Sequence, residues 1–254
     1  MGTGHAHRLY LPGDTAIHRL PGHVKLVAAL GTVFAVVLTP REQFWAFGLH
    51  AAALATTAAV ARIPAGVLLR RMAVEVPFVI FAVLMPFLTA GQRVVVLGVP
   101  LSVDGLYDAW NVLAKATLGV VASIILAATT DLADLLAGLE RLRMPALLVQ
   151  IMSFMVRYGD VVTDEMRRMR IARESRGFVA RDLRQLPTVA RSAGALFVRV
   201  FERGERVHLA MLSRGYTGAM PRLGAVVPSR AQWATTLCLP LTCATVAAAA
   251  WALS

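Results

Sequence analysis

Two short stretches carry the residue types best suited to gripping another molecule. They are Ser175-Arg176-Gly177-Phe178 and Ser213-Arg214-Gly215-Tyr216, one Ser-Arg-Gly-aromatic tetrad written twice, with the arginines 38 residues apart. Each closes a helical pattern that is basic on one side and apolar on the other. The first pattern places Val162, Met166 and Met169 at spacings of four and three; the second carries Leu196, Val200, Val207 and Met211 on the same period. Gly177 and Gly215 stand where a left-handed residue ends a helix, so Arg176 and Arg214 fall on the last turn, near its partly negative end. A planar guanidinium at a helix tip, between a small and an aromatic neighbour, suits a groove lined by carboxylates or carbonyls. The plainer alternative is a C-cap on a solvated or headgroup-facing surface. The repetition of the whole tetrad favours docking.

Other chemistry finds less support. No HExxH, GxSxG, Walker A or GxGxxG arrangement occurs in the context it needs. His5 and His7 form an HxH near the N-terminus, with His18 and His23 following, and a transient metal site there competes with a flexible tail. No metal site is assigned. His50 reads as a polar contact facing other helices. Glu75 and Lys115 are ionisable residues in apolar segments, where a relay role is the default hypothesis. Both lie near expected helix ends, where snorkelling makes their charge cheap. Met144, Met152, Met155, Met166 and Met169 suit either core packing or an adaptable sliding surface. Cys238 and Cys243 form no CxxC and read as lipid-facing or packing residues.

The elements that position these residues follow from composition. The 254-residue chain is 57% apolar with formal charge +11, and its mean hydropathy of +0.63 is high for a soluble domain. Of 26 Lys and Arg, 17 lie between residues 131 and 231, leaving long apolar segments nearly uncharged. A soluble nucleic-acid binder needs no such segments, so no nucleic-acid partner is expected. Five segments are candidates to cross a bilayer, which takes about 20 residues each: 24–38, short but with Lys25 able to snorkel at its inner end, 44–61, 73–90, 110–129 and 233–253. The first twenty residues are too polar for a cleavable signal. Arg62, Arg70 and Arg71 place the second connection in the cytoplasm, and the Arg-rich 131–231 region belongs there too. Asp104 and Asp108 sit in the opposite, external connection. The chain is therefore expected to be an all-α, polytopic membrane protein with about five transmembrane helices, a lipid bilayer around it and a cytoplasmic N-terminus. Its expected parts are a tail over 1–23, a four-helix membrane part over 24–130, a coupling-helix region over 131–231 and a last transmembrane helix over 232–254.

Within that plan, Val94 to Pro100 is too short to span and is expected as an external loop or small hairpin. Asp131 can cap a helix with Leu132, Leu135, Leu136, Leu139 and Leu142 on its core face, which Pro145 stops or redirects. Residues 147–158 form a 12-residue apolar segment expected in the interface or inside the assembly, without crossing. A separate helix over 161–176 follows, then a polar turn through Arg181 and Pro187, then a long helix over 188–214. Gly218, Pro221, Gly224 and Pro228 break structure before the last span.

These stretches resemble the transmembrane T component of energy-coupling factor (ECF) transporters, particularly the cobalt-type CbiQ group. The resemblance rests on residues 172–178 and 210–216, which look like the family's paired Arg-Gly signatures. It extends through His18-Arg19-Leu20-Pro21, Thr129 to Pro145 and Arg157 to Arg170. It implies a non-catalytic scaffold in a prokaryotic plasma membrane, with no cofactor of its own. Two ABC ATPase subunits, using ATP and Mg, would each receive one tip: Ser175, Arg176 and Gly177 in one groove, Ser213, Arg214 and Gly215 in the other. The apolar positions Val162, Met166, Met169, Leu196, Val200, Val207 and Met211 would pass the motion to a membrane substrate-binding (S) component. Cobalt uptake is the implied task; a vitamin such as biotin, or a shared energising module, is the alternative. From another class, a membrane-embedded enzyme using Glu75, Lys115 or His50 would turn over without ATPase partners, and a basic adaptor would bind lipid alone.

Overall fold

A computed structural model describes residues 9–90, 92–96, 99–178, 186–218 and 229–253. His5, His7, Arg181, Pro221, Gly224 and Pro228 lie outside the described residues. The helices fall into two compact units. One holds α1 (Gly22–Leu38), α2 (Phe44–Val60), α3 (Ala65–Arg71), a 3-10 turn (Met72–Glu75), α4 (Val76–Leu88), α5 (Val103–Thr129), α6 (Leu132–Arg141) and α9 (Arg230–Ala252). It also holds a two-stranded antiparallel hairpin, β1 (Arg93–Val96) and β2 (Val99–Ser102). The other unit holds α7 (Ala146–Glu174) and α8 (Leu186–Leu212). The architecture is that of an all-α membrane protein.

In the first unit, α1 lies against α5, α6 and α9, while α2 packs on α5 and α9. The core joins Val36, Phe47, Leu54, Ala58, Leu118, Ala122 and Ile125. Small residues let the helices approach, as membrane helices without a hydrophobic drive between them require. Gly138 of α6 is one such place, because a Cβ there would lie 2.7 Å from the backbone nitrogen of His23. The outer surface is apolar, with Phe34, Val37, Ile80, Phe81, Leu84 and Phe87 exposed, as suits hydrocarbon surroundings.

Polar contacts close both ends of this unit. At one end Arg41, between α1 and α2, donates to Asp108 of α5 at 2.7 Å, and Trp251 Nε1 donates to the Leu38 carbonyl at 2.7 Å. Ser102 caps α5 by accepting from the Gly105 N–H. At the other, Ser229 and Gln232 form a reciprocal capping box at the start of α9. There Lys25 Nζ also donates to the Thr129 carbonyl at 2.6 Å, the last residue of α5. Snorkelling was the expectation for Lys25; instead it is 7% exposed and supplies a donor to a helix C-terminus that lacks one. His50 is fully buried and bonds Thr39 at 3.0 Å, as a polar contact between helices. Glu75 is 5% exposed and accepts from the Thr117 hydroxyl, so it too is held rather than snorkelling.

Three elements differ from the sequence expectation. The third apolar segment is interrupted: α4 has only 13 residues, about 20 Å of helix against a hydrocarbon layer of about 30 Å. The 3-10 turn and Pro77 at the start of α4 account for the break. The fourth segment starts at Val103, directly after the hairpin, because Ser102 caps it earlier than the Trp110 boundary. The 147–158 and 161–176 segments are one 29-residue helix, α7. Gly159 is the weakest helix former at the expected break, and a single glycine costs about 1 kcal/mol. Among the described residues α5, α7 and α9 are long and apolar enough to cross a membrane; α1 and α2 are shorter apolar helices. The premise that the 147–158 segment is too short therefore fails, although charge from Arg157 onward confines its apolar part to the first half.

Replacing Gly138 with alanine is expected to lower stability by about 1–3 kcal/mol through the clash with α1. Gly119→Ala in α5 meets no atom within 4 Å and should be neutral or stabilising by up to about 1 kcal/mol. Thermal unfolding of both variants in detergent checks the contrast.

Candidate functional site

The α7–α8 unit is built by cross-helix pairs whose order shows the helices to be antiparallel. Gln150 bonds Tyr216, Glu165 receives Arg199 at 2.6 Å, and Arg173 donates to Ser192 at 3.2 Å. As residue numbers rise on α7 they fall on the partner. Tyr158, Val162, Glu165, Met169 and Arg173 form the half-buried seam of α7, at spacings of four, three, four and four. Leu196, Val207 and Met211 are half-buried on α8. Met166 and Val200 are exposed, Met166 at 55% and Val200 marginally at 37%.

An open groove of about 700 Å³ separates part of the pair. Val162, Val200, Val207 and Met211 line it, while Met169 and Leu196 lie further along the seam. Phe154 and Tyr158 also line the groove, with ring centroids 6.1 Å apart. Sequence reading passed over this aromatic pair, although its i, i+4 spacing continues the α7 seam toward the N-terminus.

The two helix tips close alike. Gly177 and Gly215 adopt φ of +76° and +81°, the left-handed region that glycine enters without a Cβ penalty. Phe178 N–H donates to the Arg173 carbonyl and Gly177 N–H to Glu174, both at 3.0 Å. Tyr216 N–H donates to Met211 and Gly215 N–H to Leu212, again both at 3.0 Å. This is the same six-to-one and five-to-two Schellman closure twice. The serines repeat as well: Ser175 donates to the Ala172 carbonyl at 3.1 Å and Ser213 to Ala210 at 2.9 Å.

What the caps present is also alike. Arg176 and Arg214 are exposed, and neither guanidinium has an ion pair or hydrogen bond among the described residues. Nearby Arg170 is paired with Glu174 at 2.8 Å, and Arg173 and Arg199 are engaged across the helices. The aromatic residues turn back and are half-buried; Tyr216 meets His208 edge-on, with centroids 6.5 Å apart. Because Tyr216 lies beside Gln150 and the helices run opposite ways, the tips are far apart. At 1.5 Å per residue, the two arginines are roughly 35–40 Å from each other along the helix pair.

A family model described as CbiQ, cobalt transport protein, matches residues 13–223, and so includes both tips. The chain belongs to the CbiQ family. Its relatives include the cobalt transport protein CbiQ of Rhodobacter capsulatus, 30% identical over 167 residues, covering 64% of this chain and 68% of that protein. The energy-coupling factor transporter transmembrane protein EcfT of Bacillus selenitireducens is 28% identical over 230 residues, 84% of each chain. A match to the uncharacterized protein MJ1089 of Methanocaldococcus jannaschii, 30% identical, spans about half of this chain and 48% of that protein.

In this CbiQ-family chain the glycines hold both tips in shape. Gly177→Ala and Gly215→Ala should each destabilise the cap by about 1–2 kcal/mol, because an L side chain is strained at positive φ. The amides of Phe178 or Tyr216 should then exchange faster with solvent deuterium, while exchange in the middle of α7 and α8 stays unchanged.

Proposed function

We propose that this chain is the transmembrane coupling (T) subunit of an ECF-type importer, carrying ATP-driven motion from two cytoplasmic ATPases to a substrate-binding membrane component. The observation that carries the reading is the pair of identically capped, unpaired arginines at opposite ends of one antiparallel helix pair. A separation of roughly 35–40 Å exceeds the diameter of a small domain, so the tips suit two separate grooves rather than one. Ser175, Arg176 and Gly177 would seat in the first ATPase, and Ser213, Arg214 and Gly215 in the second. An exposed guanidinium gains charge-assisted, bidentate hydrogen bonds in a groove lined by carboxylates or carbonyls.

Motion follows from how loosely the helices are joined. The open groove lets α7 and α8 change their crossing as the ATPases close, a rigid-body shift of packed elements. Val162, Val200, Val207 and Met211 would re-pack in that groove, while exposed Met166 would meet the membrane partner. The chain itself would hydrolyse nothing, since ATP and Mg belong to the ATPases. The basic connection with Arg62, Arg70 and Arg71 supports a multi-pass topology with the N-terminus inside the cell.

Cobalt ion is the substrate favoured, because the family description and the Rhodobacter capsulatus relative both carry cobalt in their names. A shared module serving several vitamins is the second reading, favoured by the longer match to EcfT proteins. Uptake of labelled cobalt against vitamins, with each candidate S component present, separates the two.

Co-purification with the ATPases tests the docking. The wild type should hold two ATPase subunits, Arg176→Glu and Arg214→Glu one each, and the double variant none. Each reversal should weaken its own site by about 30-fold or more, as for an interface hot spot of about 2 kcal/mol. A double variant that is folded in the membrane and keeps both ATPases would make the tips mere caps and the reading wrong.

A further inference from the structure

We propose that the first unit carries a specific site for one anionic phospholipid, in the pocket where α1 and α9 begin and α2 and α5 end. The pocket has a volume of about 390 Å³, within the range of small-ligand sites. Ala28, Leu54, Ile125 and Leu239 supply apolar wall. Six threonines, Thr32, Thr56, Thr57, Thr129, Thr235 and Thr236, also line it. Every one of their hydroxyls donates to a carbonyl of its own helix, at 2.7 to 3.0 Å. The threonines therefore offer methyl groups and no free O–H donor.

The pocket's free donor is Lys25. Its ammonium carries three N–H groups, and one is used on the Thr129 carbonyl. Among the described residues no carboxylate lies within ion-pair distance of it, yet the residue is 7% exposed. Asp134 of α6 acts on it through space but makes no ion pair with it; a buried ammonium without a directly paired counter-charge is costly, and the pocket around it is otherwise apolar. Thr32 lies seven residues further along α1, about 10 Å from Lys25. The chemistry that complements this arrangement is one anionic head beside a hydrocarbon chain. A soluble anion would leave the apolar wall uncovered, and a zwitterionic lipid would bring a second ammonium toward Lys25. A bilayer phospholipid with net negative charge satisfies both.

Native mass spectrometry of the detergent-purified full chain, titrated with phosphatidylglycerol, phosphatidylcholine or oleate, tests the site. The wild type should retain one phosphatidylglycerol with at least tenfold preference over phosphatidylcholine. Lys25→Met should abolish that preference, and Lys25→Arg should keep it. Ala29→Phe, which narrows the pocket but leaves the ammonium, should reduce retention of both phospholipids; its unfolding temperature reports whether the fold is intact. Equal retention of the two phospholipids by the wild type, or an unchanged preference in Lys25→Met, overturns the proposal. Preferential retention of oleate over phosphatidylglycerol also overturns it, in favour of a free fatty acid.

Discussion

A helix that stops leaves its last carbonyls without donors, and the α7–α8 unit is arranged around how that need is met. At both tips the chain enters the left-handed region at a glycine, so that its own N–H and the next one turn back onto the helix. The same turn sends the aromatic residue inward and leaves the arginine at the apex. The cap thus decides both where the helix ends and which group it offers. Without a glycine at that position the arginine would still be present, but its place at the tip would not be fixed.

The membrane unit solves the same problem by other means. Lys25 reaches across from α1 to donate at the end of α5, and Ser229 with Gln232 closes the start of α9. Arg62 follows α2 at φ of +56°, where glycine is the usual occupant. Keeping arginine there costs backbone strain. It leaves positive charge at that turn, as the charge bias between membrane helices favours.

Much of this was legible in the sequence. Arg-Gly pairs at the end of basic, apolar-striped runs announced the two tips, and the long apolar segments announced the membrane helices. The short hairpin after Gln92 was legible from a run too brief to span. What escaped were features set by tertiary context. Continuity of α7 through Gly159 depends on a helix whose neighbouring turns outweigh one weak residue. Lys25 looked like a snorkelling residue because nothing local shows that Thr129, more than 100 residues away, lies beside it. The groove between Val162 and Val207 was not legible either, since periodicity gives a face but not how closely that face is covered. Met166 shares the period of Val162 and Met169 yet stays exposed for the same reason.

In the proposed coupling, α7 and α8 shift relative to each other when ATP closes the partner subunits. Spin labels at Ala172→Cys and Ala210→Cys, both exposed and one turn inside the tips, report this directly once Cys238 and Cys243 are replaced by alanine. Pulsed electron-electron distance measurements on the assembled complex should show a different label separation in the ATP-trapped and nucleotide-free states. Identical distance distributions in the two states, in a complex that still hydrolyses ATP and imports substrate, would mean that this helix pair does not carry the motion.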